Sequence, residues 1–237
     1  YDPDHTAIGM GKYIGDCRLT HYSALLRKAL DDAGFPQVPI LTNDDKDSHD
    51  LHPGFRLSLV SSLRIAFAMP MIDALEELLR KIRPYELEKG SAERAFEEAM
   101  DHLVEGMEDS GISGALKGFR KGIQVMRKIP YDRSRRKPRV LIVGEYLLNF
   151  HPGANHDIEK YLENNGFEVI EARMTDVIRK TYFYQDKQIQ EYHLNRGITK
   201  KTWLYTADHV FNLAHDATDR IAKEHPLYEP AVRMQEL

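Results

Sequence analysis

The clearest pattern along the chain is a helical spacing of apolar residues between residues 51 and 129. Apolar side chains recur there every three or four positions, the spacing that places them on one buried face of a helix. Pro70 is expected to end or kink the first helix, and Gly111 is expected to break a later one. The stretch therefore predicts three or four amphipathic helices, each of which needs a partner surface. The apolar stripes contain Leu57, Val60, Leu63 and Phe67, then Ile72, Leu75, Leu79 and Ile82, then Phe96, Met100, Leu103 and Met107, and finally Ile112, Leu116, Phe119, Ile123 and Met126.

The period changes at residues 140–143, where four consecutive aliphatic residues predict a strand that is covered on both faces. Gly144 is expected to end this strand, and a loop followed by a helix leads to a second apolar run at 167–170. Asn155 is a candidate cap for that helix, because an asparagine side chain can accept a backbone hydrogen bond at a helix start. A unit of this kind predicts two parallel strands joined by a right-handed crossover.

The N-terminal region predicts half of an α/β unit. Residues 1–17 are rich in glycine and polar residues and are expected to form a loop. A helical pattern follows and ends at Gly34, which supplies a left-handed position, just before Pro36, which cannot continue a helix. The apolar run at 38–41 then predicts a short buried strand.

Together these patterns predict an α/β protein that contains parts of two Rossmann-like parallel-sheet lobes joined by a helical segment. We expect residues 1–48 to be the end of a first α/β lobe, residues 51–130 to be the helical segment, and residues 138–237 to start a second lobe with C-terminal helices. Three strand candidates make a thin sheet for such a protein. The chain, which begins at Tyr1, is therefore expected to be an excerpt whose sheets are completed by neighbouring sequence.

Composition and charge exclude several functional classes. The 237 residues include 33 Lys and Arg against 37 Asp and Glu, and the net charge of −4 argues against a dedicated nucleic-acid binder. No apolar run reaches the roughly 18 residues that a membrane span requires, and no signal peptide is apparent. A single cysteine excludes an internal disulfide and makes a cytoplasmic location the simplest expectation.

A basic segment, residues 127–139, connects the helical segment to the predicted second lobe. Its two prolines and seven Lys or Arg residues are typical of a solvated linker. The alternative is a patch that meets the phosphates of a nucleotide-like ligand such as coenzyme A.

Cys17 is the first candidate for chemistry, because it stands just before a predicted helix and is followed by Arg18. A helix N-terminus and a neighbouring arginine both favour the thiolate, which is the form of cysteine that binds metal. The alternative is a small buried residue, a role that cysteines often have. The chain has no second cysteine that would support a metal site through its spacing.

The loop at residues 144–157 is the second candidate, because ligands of α/β proteins bind beyond the carboxyl ends of strands. It matches neither the G-x-G-x-x-G pattern nor the Walker pattern, which disfavours a Rossmann dinucleotide site and a P-loop ATPase. Glu145 directly follows the strand and is either a general base or a structural hydrogen-bond acceptor. His151 and His156 are either metal ligands or loop residues held by the backbone or by water. A nucleotide-binding domain that uses this loop is a further interpretation.

Several short segments, taken in their order along the chain, carry a resemblance to a known family. They are Gly15-Asp16-Cys17-Arg18, Ala33-Gly34-Phe35, Val38-Pro39-Ile40, Arg83-Pro84-Tyr85-Glu86, Ile129-Pro130-Tyr131-Asp132, Lys137 to Glu145, Asn155 at a predicted helix start, and Gly166-Phe167-Glu168-Val169. This order resembles the 2-hydroxyacyl-CoA dehydratase family. It is most similar to the dehydratase-like region of large activase-related proteins, which fuse an ATP-dependent activator to dehydratase-type domains. The resemblance covers roughly residues 10–172.

The resemblance implies a fold, a cofactor and a reaction. Family members have two parallel-sheet lobes and a four-iron, four-sulfur cluster held by cysteines. An activator hydrolyses ATP and injects one electron, which generates a ketyl radical of the 2-hydroxyacyl-CoA and lets water leave. Cys17 matches one of two cysteines in the family's Cys-Gly-Pro-Cys-Arg-like context and is the implied cluster ligand, and the other ligands would lie outside this chain. Gly144, Glu145 and Asn155 are the implied loop residues that face the cleft between the lobes.

The expected function is therefore iron–sulfur-dependent radical dehydration of an acyl-CoA, a lyase reaction, or the delivery of electrons to it. The expected partners are an acyl-CoA substrate or an ATP-dependent activator domain, and other parts of a larger polypeptide. The alternative is a non-catalytic interaction module, in which the helical segment docks an activator domain and the α/β parts are scaffold. The single cysteine and the lack of catalytic pairs favour that alternative.

Overall fold

The computed structural model describes residues 2–10, 19–42, 58–144, 146–178 and 198–230. It divides the chain into two compact units, Tyr1–Ser58 and Leu59–Leu237. Both units combine helices with a small parallel sheet of two strands, within a chain that is mostly helical. The expectation of a mixed α/β protein is thus confirmed in its general form. No helix among the described residues has the length and apolar character that crossing a bilayer requires.

The first unit contains strand β1 (Ile8–Met10), helix α1 (Leu19–Asp32) and strand β2 (Ile40–Thr42). The strands pair in parallel, with Ile8 opposite Ile40. The prediction of a loop throughout residues 1–17 is wrong at β1, because three residues are too few to show a strand period and the pairing with β2 holds them extended. The predicted left-handed position is confirmed at Gly34, where φ is 84°.

Among its described residues, the second unit begins with two long helices and has a third near its end. Between them lie a short parallel sheet and four short helical stretches. Its elements are α2 (Leu59–Ile82), a 3₁₀ turn (Arg83–Tyr85), α3 (Ser91–Arg127), β3 (Arg139–Leu141), α4 (Tyr146–Phe150), α5 (Pro152–Asn155), α6 (Ile158–Asn164), β4 (Glu168–Ile170) and α7 (Ile198–Ala222). Residues 174–178 are also helical.

Helix α2 continues through Pro70, so the helix does not end there. Proline removes one backbone donor and crowds the preceding turn, which costs a helix interior about 3 kcal/mol. Pro70 is itself buried, and the fully buried Met71 and Leu75 follow it on the same helix. Burial of this face against α3 and α7 offsets the cost of the proline.

Helix α3 is a hairpin of two helical arms, which confirms the predicted break at Gly111. Ser110 and Gly111 leave the helical region, and Gly111 has a φ of 60° that favours glycine. The arms approach so closely that a Cβ on Gly118 would lie 1.9 Å from the carbonyl oxygen of His102. Gly114 faces Gly106 in the same way. Small residues on both arms thus allow this backbone contact.

The core of the second unit lies between α2, the α3 hairpin and α7. Of the predicted stripes, Leu75, Leu79 and Ile82 of α2 and Leu103, Phe119, Ile123 and Met126 of α3 are buried in this core. The first predicted stripe is not a buried face, because Val60 is 59% exposed, and Leu57 lies outside the described residues. The buried set includes Met71, Leu75, Leu78, Ile82, Leu103, Phe119, Ile123, Met126, Ile221 and Ala222. Burial at about 25 cal/mol per Å² of apolar surface makes this core the main source of stability.

Strands β3 and β4 pair in parallel, with Val140 opposite Val169, as the sequence predicts. Helix α6, which connects them, contacts β4. The sheet is not covered on both faces within the described residues, because Leu141, Val143 and Ile170 are 57%, 76% and 39% exposed. Parallel sheets are normally covered on both sides, so this apolar face is unusual. The arrangement of such sheets into Rossmann-like lobes stays a prediction.

Candidate functional site

A cavity of about 410 Å³ lies in the second unit. One wall is a face of α2 with Arg83 and with Phe96 of α3, and the other walls come from the segments that follow β3 and β4 in the chain. Parallel strands present their carboxyl ends at one edge, and the segments beyond them commonly build ligand sites. The volume is in the range of small-molecule pockets. This cavity is therefore the candidate functional site.

Two of the three predicted loop residues are near this cavity. Asn155 lines it, and a Cβ placed on Gly144 would lie 3.5 Å from Oδ1 of Asn149, which also lines it. Glu145 lies outside the described residues, so its predicted role stays a prediction.

The prediction that Asn155 caps the following helix is wrong. Asn155 is the last residue of α5, and Asp157 takes the N-cap position of α6. His156 and Asp157 both have left-handed backbone angles, which insert an extra turn between the two helices. The Asn155 amide instead donates to the carbonyl oxygen of Leu148 at 3.1 Å, and so holds the loop against itself.

The histidines of this loop are not gathered into a metal site. His151 caps α5, and its Nδ1 accepts a hydrogen bond from the N–H of Ala154 at 3.2 Å. This matches the interpretation of a loop residue held by the backbone. Within the ranges that the structure describes, no three His, Cys, Asp or Glu side chains stand close enough to share a metal ion.

Arg80 and Arg83 lie at the centre of an ion-pair network beside the cavity. Nη2 of Arg80 is 2.5 Å from Glu171, and Nε of Arg83 is 2.6 Å from Glu163. Glu159 contacts both guanidinium groups. We name the five carboxylates that meet these arginines the glutamate cluster; it consists of Glu76, Glu93, Glu159, Glu163 and Glu171.

Burial disfavours the charged form of several members of the glutamate cluster. Desolvation raises the pKa of Glu76, Glu163 and Glu171, and the neighbouring arginines offset it only in part. The side chain of Glu171 is only 4% exposed. Even with Arg80, Arg83 and the nearby Lys160 counted, the cluster holds more formal negative than positive charge. The site therefore favours binding of a positive rather than a negative group.

Asp73 connects α2 to the segment that follows β4. Its carboxylate accepts hydrogen bonds from the N–H of Met174 at 3.0 Å and from the N–H of Thr175 at 2.9 Å. The Thr175 hydroxyl donates to it as well, at 2.5 Å. These donors begin the helical stretch 174–178, so Asp73 acts as its cap from a distant helix.

Asn149 is the site residue that the sequence analysis did not single out. Its side chain is 8% exposed and lines the cavity, and its Oδ1 has no hydrogen-bond partner. It lies within the predicted loop, but no local pattern distinguishes it from its neighbours. The site residues of α2 do have a signal in the sequence. Asp73, Glu76 and Arg80 are spaced by three and four positions, which places these charged side chains on one face of the helix.

The basic segment 127–139 is partly built into the fold. Arg133 donates to Glu168 at 2.7 Å and lies over the ring of Tyr85, 4.5 Å from its centroid. Arg139 is also paired with Glu168, at 3.3 Å. The solvated-linker interpretation is therefore wrong for Arg133, whose side chain is 18% exposed, whereas Arg139 is still largely in solvent. Arg135 and Arg136 are exposed, as both sequence interpretations require.

Cys17, the predicted cluster ligand, lies outside the described residues. In the sequence it stands between the end of β1 and the start of α1. No protein-family model, curated protein or solved structure matches the chain.

Proposed function

We propose that the chain is part of a 2-hydroxyacyl-CoA dehydratase-type protein, in which it serves radical dehydration of an acyl-CoA or electron delivery to that reaction. The observation that carries the proposal is the order of the family-like segments along the chain. The parallel pairing of β3 and β4 supports it, because the resemblance implies parallel sheets.

The residues of this chain do not by themselves fit a four-iron, four-sulfur cluster. Such clusters are held by four cysteine thiolates or close equivalents, and the chain has one cysteine. Cys17 can supply a single ligand, and the rest would come from other parts of a larger polypeptide or from a partner. The chain alone is therefore proposed to be incomplete as a lyase.

Coenzyme A would meet this chain at the exposed part of the basic segment rather than in the cavity. Its phosphates carry negative charge, and the arginines beside the cavity are engaged by carboxylates. Arg135 and Arg136 are exposed and offer guanidinium groups that suit phosphate oxygens.

Iron and sulfide analysis of the anaerobically prepared full-length protein, compared with its Cys17→Ser variant, tests the proposal. Loss of cluster content in the variant is expected, and unchanged content would reject Cys17 as a ligand. A thermal-shift comparison of coenzyme A, ATP and NAD tests the ligand, because a ligand that binds only the folded state raises the melting temperature. Coenzyme A is expected to raise it, and the shift is expected to shrink in a variant with Arg135→Ala and Arg136→Ala.

The second candidate function is a non-catalytic interaction module that docks an ATP-dependent activator domain. The exposed apolar face of the β3–β4 sheet favours it, because Leu141, Val143 and Ile170 place aliphatic surface in water. Val143→Lys is expected to weaken activator binding in a pull-down, whereas Tyr161→Lys at another exposed position is not. The colour of the anaerobically purified protein separates the candidates: a brown protein supports the cluster, and a colourless one supports the module.

A further inference from the structure

Residues 225–230 follow α7 and contact the C-terminal end of α2, and we name them the strap. Nζ of Lys81 donates to the carbonyl oxygen of Leu227 at 3.0 Å and lies 3.1 Å from the Glu229 carboxylate. Arg173, from the segment after β4, donates to the carbonyl oxygen of Glu229 at 2.7 Å. Two cations from different parts of the second unit thus hold the strap in place.

The first residue of the strap, His225, has a side chain that is 1% exposed. Its Nδ1 accepts a hydrogen bond from the N–H of Leu227 at 3.2 Å. A ring nitrogen accepts a hydrogen bond only when it carries no proton, so this contact requires the neutral imidazole. A protonated ring would place a second donor against the N–H of Leu227 and leave both groups without an acceptor. The geometry of the strap therefore depends on one protonation state of His225.

The charged groups that neighbouring elements present to His225 oppose its protonation. Burial lowers the pKa of His225 to about 4, and Lys81 of α2 and Arg127 of α3 act in the same direction. The backbone of Met126 acts in the opposite direction but does not offset these effects. The adjacent carboxylate, Glu224, is already engaged in a salt bridge to α3. A proton on His225 is therefore accommodated best when the ring moves into water.

We propose that the strap is an acid-released element: protonation of His225 detaches residues 225–230 while α2 and the α3 hairpin stay folded. The strap contributes Leu227 and Tyr228 to the core, whereas α2 and α3 bury their own apolar side chains against each other. A segment with so few buried contacts opens at a lower free energy than the helices do.

Release of the strap changes the surface beside β4. Glu229 and Pro230 form part of the wall of a cavity of about 230 Å³ there, so their departure opens this cavity to solvent. The inference does not rest on the proposed function, because it involves neither Cys17 nor the exposed arginines that are proposed to meet coenzyme A.

Amide hydrogen exchange of the full chain at pH 7 and pH 4.5 tests the release, with each rate corrected for the intrinsic effect of pH on exchange. The protection of the amides of Leu227 and Tyr228 is expected to fall about fiftyfold at the lower pH, since opening exposes a histidine with an ordinary pKa of 6.5. The amide of Phe119, in the core of α3, is expected to lose far less. Unchanged protection of the strap, or an equal loss at Phe119, would overturn the proposal.

Two variants assign the effect to His225. His225→Asn supplies a side-chain oxygen that accepts from the N–H of Leu227 and does not titrate, so its strap is expected to stay protected at pH 4.5. His209→Asn, at an exposed position on α7, is the matched control and is expected to open as the wild type does. A His225→Asn strap that still loses its protection between the two pH values would refute the role of His225.

A direct titration decides the question if His225→Asn does not fold, as judged by circular dichroism. The ring of His225 in the wild type is followed by nuclear magnetic resonance, beside the exposed ring of His209. A midpoint for His225 well below that of His209 supports the proposal, and equal midpoints would refute it.

Discussion

The hydroxyl group of Tyr85 donates a hydrogen bond to the buried carboxylate of Glu168 at 2.8 Å, across 83 positions of sequence. The same hydroxyl accepts from the backbone N–H of Lys137 at 2.9 Å. Glu168 also accepts a hydrogen bond from the guanidinium group of Arg133, which lies over the Tyr85 ring. This group of contacts joins the 3₁₀ turn after α2, the basic segment and the first residue of β4 within the second unit.

Tyr85→Phe is expected to destabilise the protein by about 2 kcal/mol, because it removes a donor from a buried carboxylate and an acceptor from a backbone N–H. Urea unfolding followed by circular dichroism measures this change. Tyr205→Phe, at a highly exposed position, is the matched control and is expected to have little effect. Equal midpoints for the two variants would contradict the structural role given to Tyr85.

Gly118→Ala is expected to destabilise the α3 hairpin by about 2–3 kcal/mol through overpacking. On an open helix the same change would stabilise by up to about 1 kcal/mol, because alanine is the better helix former. The sign of the effect therefore reports the close approach of Gly118 to His102. Thermal unfolding of Gly118→Ala beside Lys117→Ala, its exposed neighbour, measures it, and a stabilised Gly118→Ala variant would show that the arms are further apart.

Asp73→Ala is expected to cost about 3 kcal/mol, because it removes the acceptor of two backbone donors and of the buried Thr175 hydroxyl. Asp73→Asn is expected to cost less, since it keeps one acceptor oxygen and removes a charge whose burial raises the pKa of Asp73. Chemical denaturation of both variants, with the exposed Asp101→Ala as control, measures the difference. A larger loss for the asparagine variant would argue against the capping role.

His225 is expected to make the protein less stable in acid. The side chain is 1% exposed, and burial lowers its pKa to about 4 from the ordinary value of 6.5. The unfolded chain therefore takes up a proton near pH 6.5, whereas the folded chain does so only near pH 4. Above pH 6.5, the pKa of the unfolded chain, His225 is neutral in both states and the free energy of unfolding is at its full value. As the pH falls towards the folded pKa of about 4, the free energy of unfolding decreases by about 3 kcal/mol in total.

A difference measurement isolates this histidine from the carboxylates that titrate in the same range. The free energy of unfolding is measured against pH for the wild type and for His225→Gln, and the second curve is subtracted from the first. The difference is expected to fall as the pH decreases from about 6.5 to about 4. A difference that stays flat across this interval would show that His225 is not held neutral by its burial.

The elements that the sequence predicted share a local origin. The stripes of α2 and α3, the break at Gly111 and the left-handed Gly34 each depend on residues within a few positions of one another, and periodicity and backbone preference report such relationships directly. The parallel pairing of β3 and β4 follows from the same kind of evidence, since a helix joins two apolar runs.

The predictions of a loop at β1 and of a capping role for Asn155 were both wrong, because neither outcome is visible in the local pattern of residues. Three extended residues carry no detectable period, and β1 is held extended by its pairing with β2, some thirty positions away. Asn155 precedes two residues with left-handed angles, which are uncommon outside glycine and are therefore hard to anticipate from sequence.

By itself the sequence determined where most helices form, where the α3 hairpin turns and which residues of α2 after Pro70 and of α3 contribute to the buried face, because these properties depend on neighbouring residues. Only the tertiary structure decided that Tyr85 meets Glu168, that Asp73 caps the segment at Thr175, and that Asn149 lines a cavity with the glutamate cluster. Such contacts join residues up to about a hundred positions apart, and their energies depend on burial and exact distance, which a linear pattern of residue types does not encode.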